Sequence, residues 1–185
     1  MGRNSLEATF HDMDNPIANS YWITNGRLLA GGYPGAISQE ETSKEVRSIL
    51  EAGVTAFVDL TEEDENPPYT TALSEISNQL GTSSKHIRMS IGDMGVPTKL
   101  GMSRILSVID EFLENDRGVY VHCWGGIGRT GTVIGCYMVE QGMTGAEAMQ
   151  RIEDLRKPTP YSRVRSPDNE VQRKMVLGWR DTALQ

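Results

Sequence analysis

The sequence predicts an α/β fold: one domain with a central, largely parallel sheet of four to five strands flanked by helices. Three observations carry that prediction. The apolar, β-branched runs Val54–Leu60 (VTAFVDL) and Val119–His122 (VYVH) read as strands covered on both faces. Segments with apolar residues at helical spacing alternate with them along the chain. The length, 185 residues, suits a single core that needs no disulfide or metal staple.

The elements follow in order. Arg27–Gly31 (RLLAG) reads as a short strand, followed by the turn-rich residues 31–35. Ser38 with Glu41 three residues on is a capping box, opening a helix that runs to about Glu51 and stops at Gly53. After the Val54–Leu60 strand, Thr70–Leu80 reads as a helix ended by Gly81. His86–Ile91 (HIRMSI) alternates like a strand and runs into Gly92–Pro97. In Lys99–Asn115, Leu100, Ile105, Val108, Ile109 and Phe112 share one helical face. The Val119–His122 strand leads at once into the glycine-rich stretch 123–131. Val133–Gln141 and Ala146–Leu155 read as helices separated by Gly142–Gly145, and a last helix spans about Asn169 to Trp179. No repeat or linker divides the chain, so the expectation is one domain over 1–185, with 1–20 a loosely ordered extension.

Composition narrows the function. A formal charge of −7 argues against nucleic acid as a general partner, because phosphate-backbone binding needs a cationic surface. The charge is uneven: Arg151–Lys174 holds seven basic and four acidic residues, whereas five of the seven residues from Asp59 to Glu65 are acidic. Two cysteines and three histidines are too few for a structural zinc site, and no metal or cofactor is expected. The longest nearly apolar stretch, Thr132–Val139, falls far short of the roughly 20 residues that span a bilayer. The first residues lack the apolar core of a signal peptide. The expectation is a cytoplasmic protein that does not insert into membranes.

The chemistry is concentrated in residues 121–131, Val-His-Cys-Trp-Gly-Gly-Ile-Gly-Arg-Thr-Gly, between a buried strand and a helix. Gly125, Gly126 and Gly128 let the backbone N–H groups of residues 124–129 converge into a nest for an anion. The following helix adds its positive N-terminal end at the same point, and Arg129 can clamp two phosphate oxygens with its planar fork. Positive dipoles around a thiol favour its thiolate, and a thiolate facing a bound phosphate is placed for in-line attack. The Gly-Lys-Ser/Thr ending of a Walker loop is missing.

His122-Cys123-x5-Arg129-Thr130 resembles the signature of the protein tyrosine phosphatase superfamily, and the chain from about Arg27 to Trp179 is similar to small dual-specificity-type members, compact bacterial ones included. The order of motifs separates neighbouring families. Asp93 precedes Cys123 by 30 residues, the dual-specificity order. The Lys-Asn-Arg-Tyr motif of larger tyrosine phosphatases is absent, and the loop carries none of the lysines usual in lipid phosphatases.

The resemblance implies roles. Cys123 is the nucleophile and forms a phosphocysteine; Trp124, Gly125, Gly126, Ile127, Gly128 and Arg129 hold the phosphate, Arg129 also in the transition state. Thr130 stabilises the leaving thiolate, with a bond to its own backbone as the plain alternative. His122 orients the loop, and Asp93 is the general acid. Asp59, also at a strand end, competes for that last role. In Ser166–Gln172, Gln172 and Asn169 position the hydrolytic water; the plain alternative is a helix N-cap at Asp168 or Asn169. Arg163 and Arg165 border the phosphate pocket, whereas Cys136 reads as core packing. The substrates implied are phosphorylated proteins bearing phosphotyrosine and phosphoserine or phosphothreonine. A phosphoinositide or small-molecule phosphatase, and a catalytically silent phosphoprotein-binding module, are the rivals.

Overall fold

The computed structural model describes residues 14–35 and 38–180. Its strands are β1 (Ser20–Thr24), β2 (Leu28–Gly31), β3 (Val54–Asp59), β4 (Lys85–Arg88) and β5 (Gly118–His122), and its helices α1 (Gln39–Glu51), α2 (Thr70–Gln79), α3 (Lys99–Glu114), α4 (Gly128–Glu140), α5 (Gly145–Leu155) and α6 (Glu170–Leu177). The strands form one sheet in the order β1-β2-β5-β3-β4. β5 lies parallel to both β2 and β3, and β3 parallel to β4; β1 alone runs antiparallel, on β2. The fold is the predicted α/β layer with a largely parallel sheet.

Strand alternation divides the core between the two faces of the sheet. Leu28, Ala30, Ala56, Val58, Val119 and Val121 face α3, α4, α5 and α6, where they meet Ile105, Ile109, Ile134, Ile152 and Val176. Leu29, Phe57 and Tyr120 face α1 and α2, where they meet Val46, Ile49, Leu73 and Ile76. β5 is fully buried and central, so the residue that follows it is set at the middle of the sheet's C-terminal edge.

Three boundaries depart from the sequence reading. β1 was not predicted: its Tyr21-Trp22-Ile23 run does not alternate, and it pairs as a strand because β2 offers an open edge beyond the Gly26 turn. α4 begins five residues earlier than expected, at Gly128, because tertiary contacts override the low helix propensity of Gly and Thr. A Cβ at Gly131 would lie 2.2 Å from Ser166 Oγ, so the close approach of the 166 segment requires glycine in that first turn. β4 ends at Arg88 rather than Ile91, although Met89 N–H and Ile91 N–H still donate to Asp59 O (2.8 Å) and Leu60 O (3.0 Å). The expected N-terminal extension lies largely outside the described residues.

Gly126 fixes the loop after β5 against β2. Its φ is +69°, and a Cβ there would sit 2.4 Å from the carbonyl carbon of Gly31. Gly126→Ala is therefore expected to cost about 2 kcal/mol or more in urea unfolding. Gly142→Ala, at φ +108° with no atom within 4 Å, isolates the dihedral cost alone and should cost about 1 kcal/mol; equal losses at the two sites would show that the contact with β2 is immaterial.

Candidate active site

The C-terminal ends of β2, β3, β4 and β5 all open on one edge of the sheet, bringing together residues 32–35, 60–65, 89–97 and 123–127. In the last of these segments the peptide planes are turned by their carbonyls. Trp124 O accepts from Tyr33 N–H (2.8 Å), Gly125 O from Asn19 Nδ2 (3.1 Å) and Ile127 O from the Ser166 hydroxyl (2.7 Å). With the carbonyls held outward and Gly126 left-handed, the N–H groups of residues 124–129 turn the other way and find no acceptor among the described residues. They form an anion nest at the N-terminus of α4.

Cys123 lies at the floor of this nest, 3 % exposed. His122 behind it is wholly buried. A carbonyl can only accept, so His122 Nδ1–H donates to Cys123 O (3.4 Å), and Nε2 accepts from the Tyr69 hydroxyl (2.7 Å). Burial pushes the His122 pKa down to about 4, against a smaller upward pull from Asp59, so the ring is a neutral strut rather than a cation.

Arg129 gathers three loops. Nη1 donates to Glu65 Oε2 (2.6 Å) and to Ile91 O (3.1 Å), Nη2 donates to Glu65 Oε1, and Asp93 Oδ1 stands 3.4 Å from Nη2. The bidentate Glu65 pair raises the guanidinium's pKa against its burial, and the same bond from Arg129 holds the Glu65 carboxyl below its usual range. Nε makes no bond among the described residues, and so remains available to a ligand in the nest.

Asp93 sits in a turn closed by Gly95 N–H to Gly92 O (2.9 Å), with its side chain 72 % exposed. Met94, the next residue, has φ +57°, a conformation that a side chain disfavours by about 1 kcal/mol. Asn169 is the N-cap of α6: its Oδ1 accepts from Val171 N–H and Gln172 N–H, while its Nδ2 donates to Met94 O (2.8 Å). Gln172 is buried, accepts from Asp168 N–H and Asn169 N–H, and donates from Nε2 to Gly95 O (3.2 Å). A cleft of about 540 Å³ joins Cys123, Arg129, Asp93 and Gln172, with Tyr33, Met94, Trp124 and Tyr161 on its walls.

The structure thus brings together Cys123, residues 124–129, Asp93, Asn169 and Gln172. It separates other candidates. Asp59 is fully buried: although burial raises its pKa, His86, the nearby His122 and Thr61 hold it well below the usual carboxylate range. Its oxygens accept from Thr61 N–H (2.9 Å), the Thr61 hydroxyl (2.6 Å) and Arg88 (3.1 Å), leaving it no path to a ligand in the cleft. Arg163 and Arg165 are exposed and do not line the cleft, whose wall there is Tyr161. Thr130 donates to Gly31 O (3.3 Å) instead of bonding its own helix. Cys136 packs in the α4 core, where burial pushes its thiol up to about 12. Among the described residues no side chains gather to hold a metal, and no helix is long and apolar enough to cross a membrane.

Sequence reasoning missed Glu65, Asn19 and Ser166 as site residues. The acidic run 59–65 was a signal for Glu65. Asn19 and Ser166 act on backbone carbonyls, which leave no mark on residue pattern.

Comparison with known proteins bears on the family and the fold. The family described as "Polymorphic toxin system, DSP-PTPase phosphatase" matches residues 32–143. A zebrafish (Danio rerio) dual specificity protein phosphatase CDC14AB is 26% identical over 166 residues, covering 85% of the chain and 25% of that protein. The Caenorhabditis elegans tyrosine-protein phosphatase cdc-14 is 38% identical over 65 residues, 35% of the chain and 9% of that protein. The chain therefore spans a quarter or less of either relative. The solved structure of Tk-PTP in its active form superposes with a TM-score of 0.69 at 22% identity, covering 90% of the chain and 98% of that protein.

The buried His122 gives the fold a pH dependence. Its folded pKa, about 4, lies below the ordinary 6.5, so its contribution is complete above pH 6.5 and is lost as the pH falls toward 4. The loss amounts to up to about 3 kcal/mol. Urea unfolding between pH 7 and 4.5 should show a steeper decline in the wild type than in a His122→Asn variant; parallel declines would assign the acid sensitivity to other groups.

Proposed function

The chain belongs to the DSP-PTPase phosphatase family of polymorphic toxin systems, within the dual-specificity branch of the protein tyrosine phosphatase superfamily, and on that premise we propose that it hydrolyses phosphate monoesters on proteins through a phosphocysteine. The observation that carries this reading is the junction of Cys123, six inward-facing N–H groups, Arg129 and Asp93 in one cleft.

In this reaction the substrate phosphate occupies the 124–129 nest and the free Nε edge of Arg129. The Cys123 thiolate attacks phosphorus, the bond to the leaving oxygen breaks, and protonated Asp93 delivers its proton to that oxygen. Water then attacks the phosphocysteine, Asp93 takes a proton from it, and the phosphorus–sulfur bond breaks to return thiolate and release phosphate. His122 fixes the loop behind the nucleophile. Thr130 supplies its hydroxyl to the departing thiolate by exchanging its bond to Gly31 O. Residues 1–185 act as one catalytic domain without metal or cofactor, in the cytoplasm.

The cleft walls support a protein substrate. Tyr33, Trp124 and Tyr161 offer aromatic surface to a phosphotyrosine ring, and the open rim admits shorter phosphoserine and phosphothreonine side chains as well. Arg129 is the one cation among the described lining residues, while Asp93 and Asp168 are anionic, an arrangement poorly matched to a polyanionic inositol head group.

Phosphate release should occur from phosphotyrosine and phosphothreonine peptides in EDTA, at least tenfold faster than from phosphoinositides, and vanish in Cys123→Ser, which should still bind phosphopeptide. Release chiefly from the lipid would overturn the substrate class, and full activity in Cys123→Ser would overturn the covalent route. Loss of the Glu65 clamp frees the guanidinium to rotate. Glu65→Gln should lower kcat/KM by about tenfold with the thermal midpoint little changed; an unchanged kcat/KM would show that Arg129 orients itself.

A further inference from the structure

The resemblance gives Gln172 and Asn169 the hydrolytic water. Their contacts give them something else. Each side chain uses its amide oxygen on the N-terminus of α6 and its NH2 group on a carbonyl of the turn that carries Asp93. The assignment of oxygen and nitrogen is unambiguous: Val171 N–H and Asp168 N–H need acceptors, and Met94 O and Gly95 O need donors. The two bonded carbonyls belong to the residue after Asp93 and the next one on. A third bond, from Arg129 Nη1 to Ile91 O, ties down the entry to the same turn.

The turn needs such fixing. Met94 holds φ +57° with a methionine side chain that is 53 % exposed, so no burial of that side chain offsets the unfavourable backbone. Asp93 itself is largely exposed, and among the described residues its carboxylate is held only by the contact with Arg129. Its position is therefore set by the backbone on either side, which Asn169 and Gln172 hold from one direction and Arg129 from the other.

We propose that Asn169 and Gln172 are positioning residues for the general acid, acting on Asp93 through the Met94 and Gly95 carbonyls; this rests on the assignment of Asp93 as the acid. The first turn of α6 is in effect a fixed mount that keeps the acid loop over the nest, and the capping amides, not a residue of the loop itself, set the direction of the proton. Loss of a tether should then hurt substrates in proportion to their need for a proton. It should spare esters whose leaving group departs as an anion.

The test compares kcat/KM for phenyl phosphate with that for 2,4-dinitrophenyl phosphate, because kcat/KM reports the steps through loss of the leaving group. Asn169→Ser keeps a capping oxygen but is too short to reach Met94 O, so α6 stays capped. This variant, and Gln172→Met, should lose about tenfold on phenyl phosphate and less than about twofold on the dinitrophenyl ester. In an Asp93→Asn background Asn169→Ser should have almost no further effect. Equal losses on both esters, or a full additive loss in the Asp93→Asn background, would overturn the proposal. A Gln172→Met enzyme with an unchanged first step and a burst of accumulated phosphocysteine would overturn it for Gln172 in favour of water positioning. Should Gln172→Met lower the thermal midpoint too far to assay, Asn169→Ser decides the matter alone. An Asp93→Asn enzyme that treats both esters as the wild type does would instead remove the acid assignment itself, a result distinguishable from failure of the tethers.

Discussion

The site depends on where three carbonyl oxygens point. A peptide plane that turns its C=O outward presents its N–H inward, and in the loop after β5 the outward direction is enforced by partners on three other elements: Tyr33 N–H beyond β2, Asn19 before β1 and Ser166 before α6. Asn19 and Tyr33 also line the cleft and Ser166 does not, yet without all three bonds the loop's donors would have no reason to converge. The cost of six residues held with unpaired N–H groups is tolerable only because the Trp124, Gly125 and Ile127 carbonyls are paired and the α4 dipole begins where the loop ends. The antiparallel edge strand β1 gains a purpose in this light. Gly32 N–H donates to Asn19 O (2.9 Å), which fixes the residue whose side chain holds Gly125.

Arg129 does for the neighbouring loops what those carbonyls do for the nest. It is almost wholly buried, and a buried cation is stable only if paired and fully hydrogen-bonded. Glu65 supplies the charge and Ile91 O a further acceptor. The carboxylate is itself anchored, since Glu65 Oε2 also accepts from Glu62 N–H (3.0 Å). The loop that carries it departs from Asp59, pinned by Thr61, His86 and Arg88. Asp59 thus serves the site from a distance: a strand-end carboxylate used as an internal anchor, not as an acid.

How much of this could be read beforehand follows from the range of each interaction. Val54–Leu60 and Val119–His122 declared themselves because burial on both faces writes a continuous apolar run, and Cys123 and Arg129 because the anion nest requires glycines at fixed spacing. Asp93 was legible from its place between a strand and a proline. β1 was not, since an edge strand with consecutive Tyr, Trp and Ile carries no period-two pattern. Glu65 was visible as charge but not as a partner, because the residue it meets lies 64 positions away. Arg163 and Arg165 suit the cleft on charge alone, yet it is Tyr161 that lines it. Asn169 was foreseen as a cap and as a site residue, and the structure shows how one amide can serve both ends.

In the proposed reaction one guanidinium must hold two carboxylates and then a phosphate, and the geometry shows which partner gives way. Glu65 meets Arg129 through two short parallel bonds, is itself tied to Glu62 N–H, and is mostly shielded from water. Asp93 meets the same guanidinium at 3.4 Å on one oxygen, with its side chain 72 % exposed, where solvent screens most of the attraction. A phosphate arriving at the Nε edge leaves the Glu65 fork in place and competes with Asp93 for Nη2. The entering negative charge also repels that exposed carboxylate. In that reaction the arrangement retains the Glu65 clamp and uncouples Asp93, while the proposed tethers at Met94 and Gly95 keep it over the leaving oxygen.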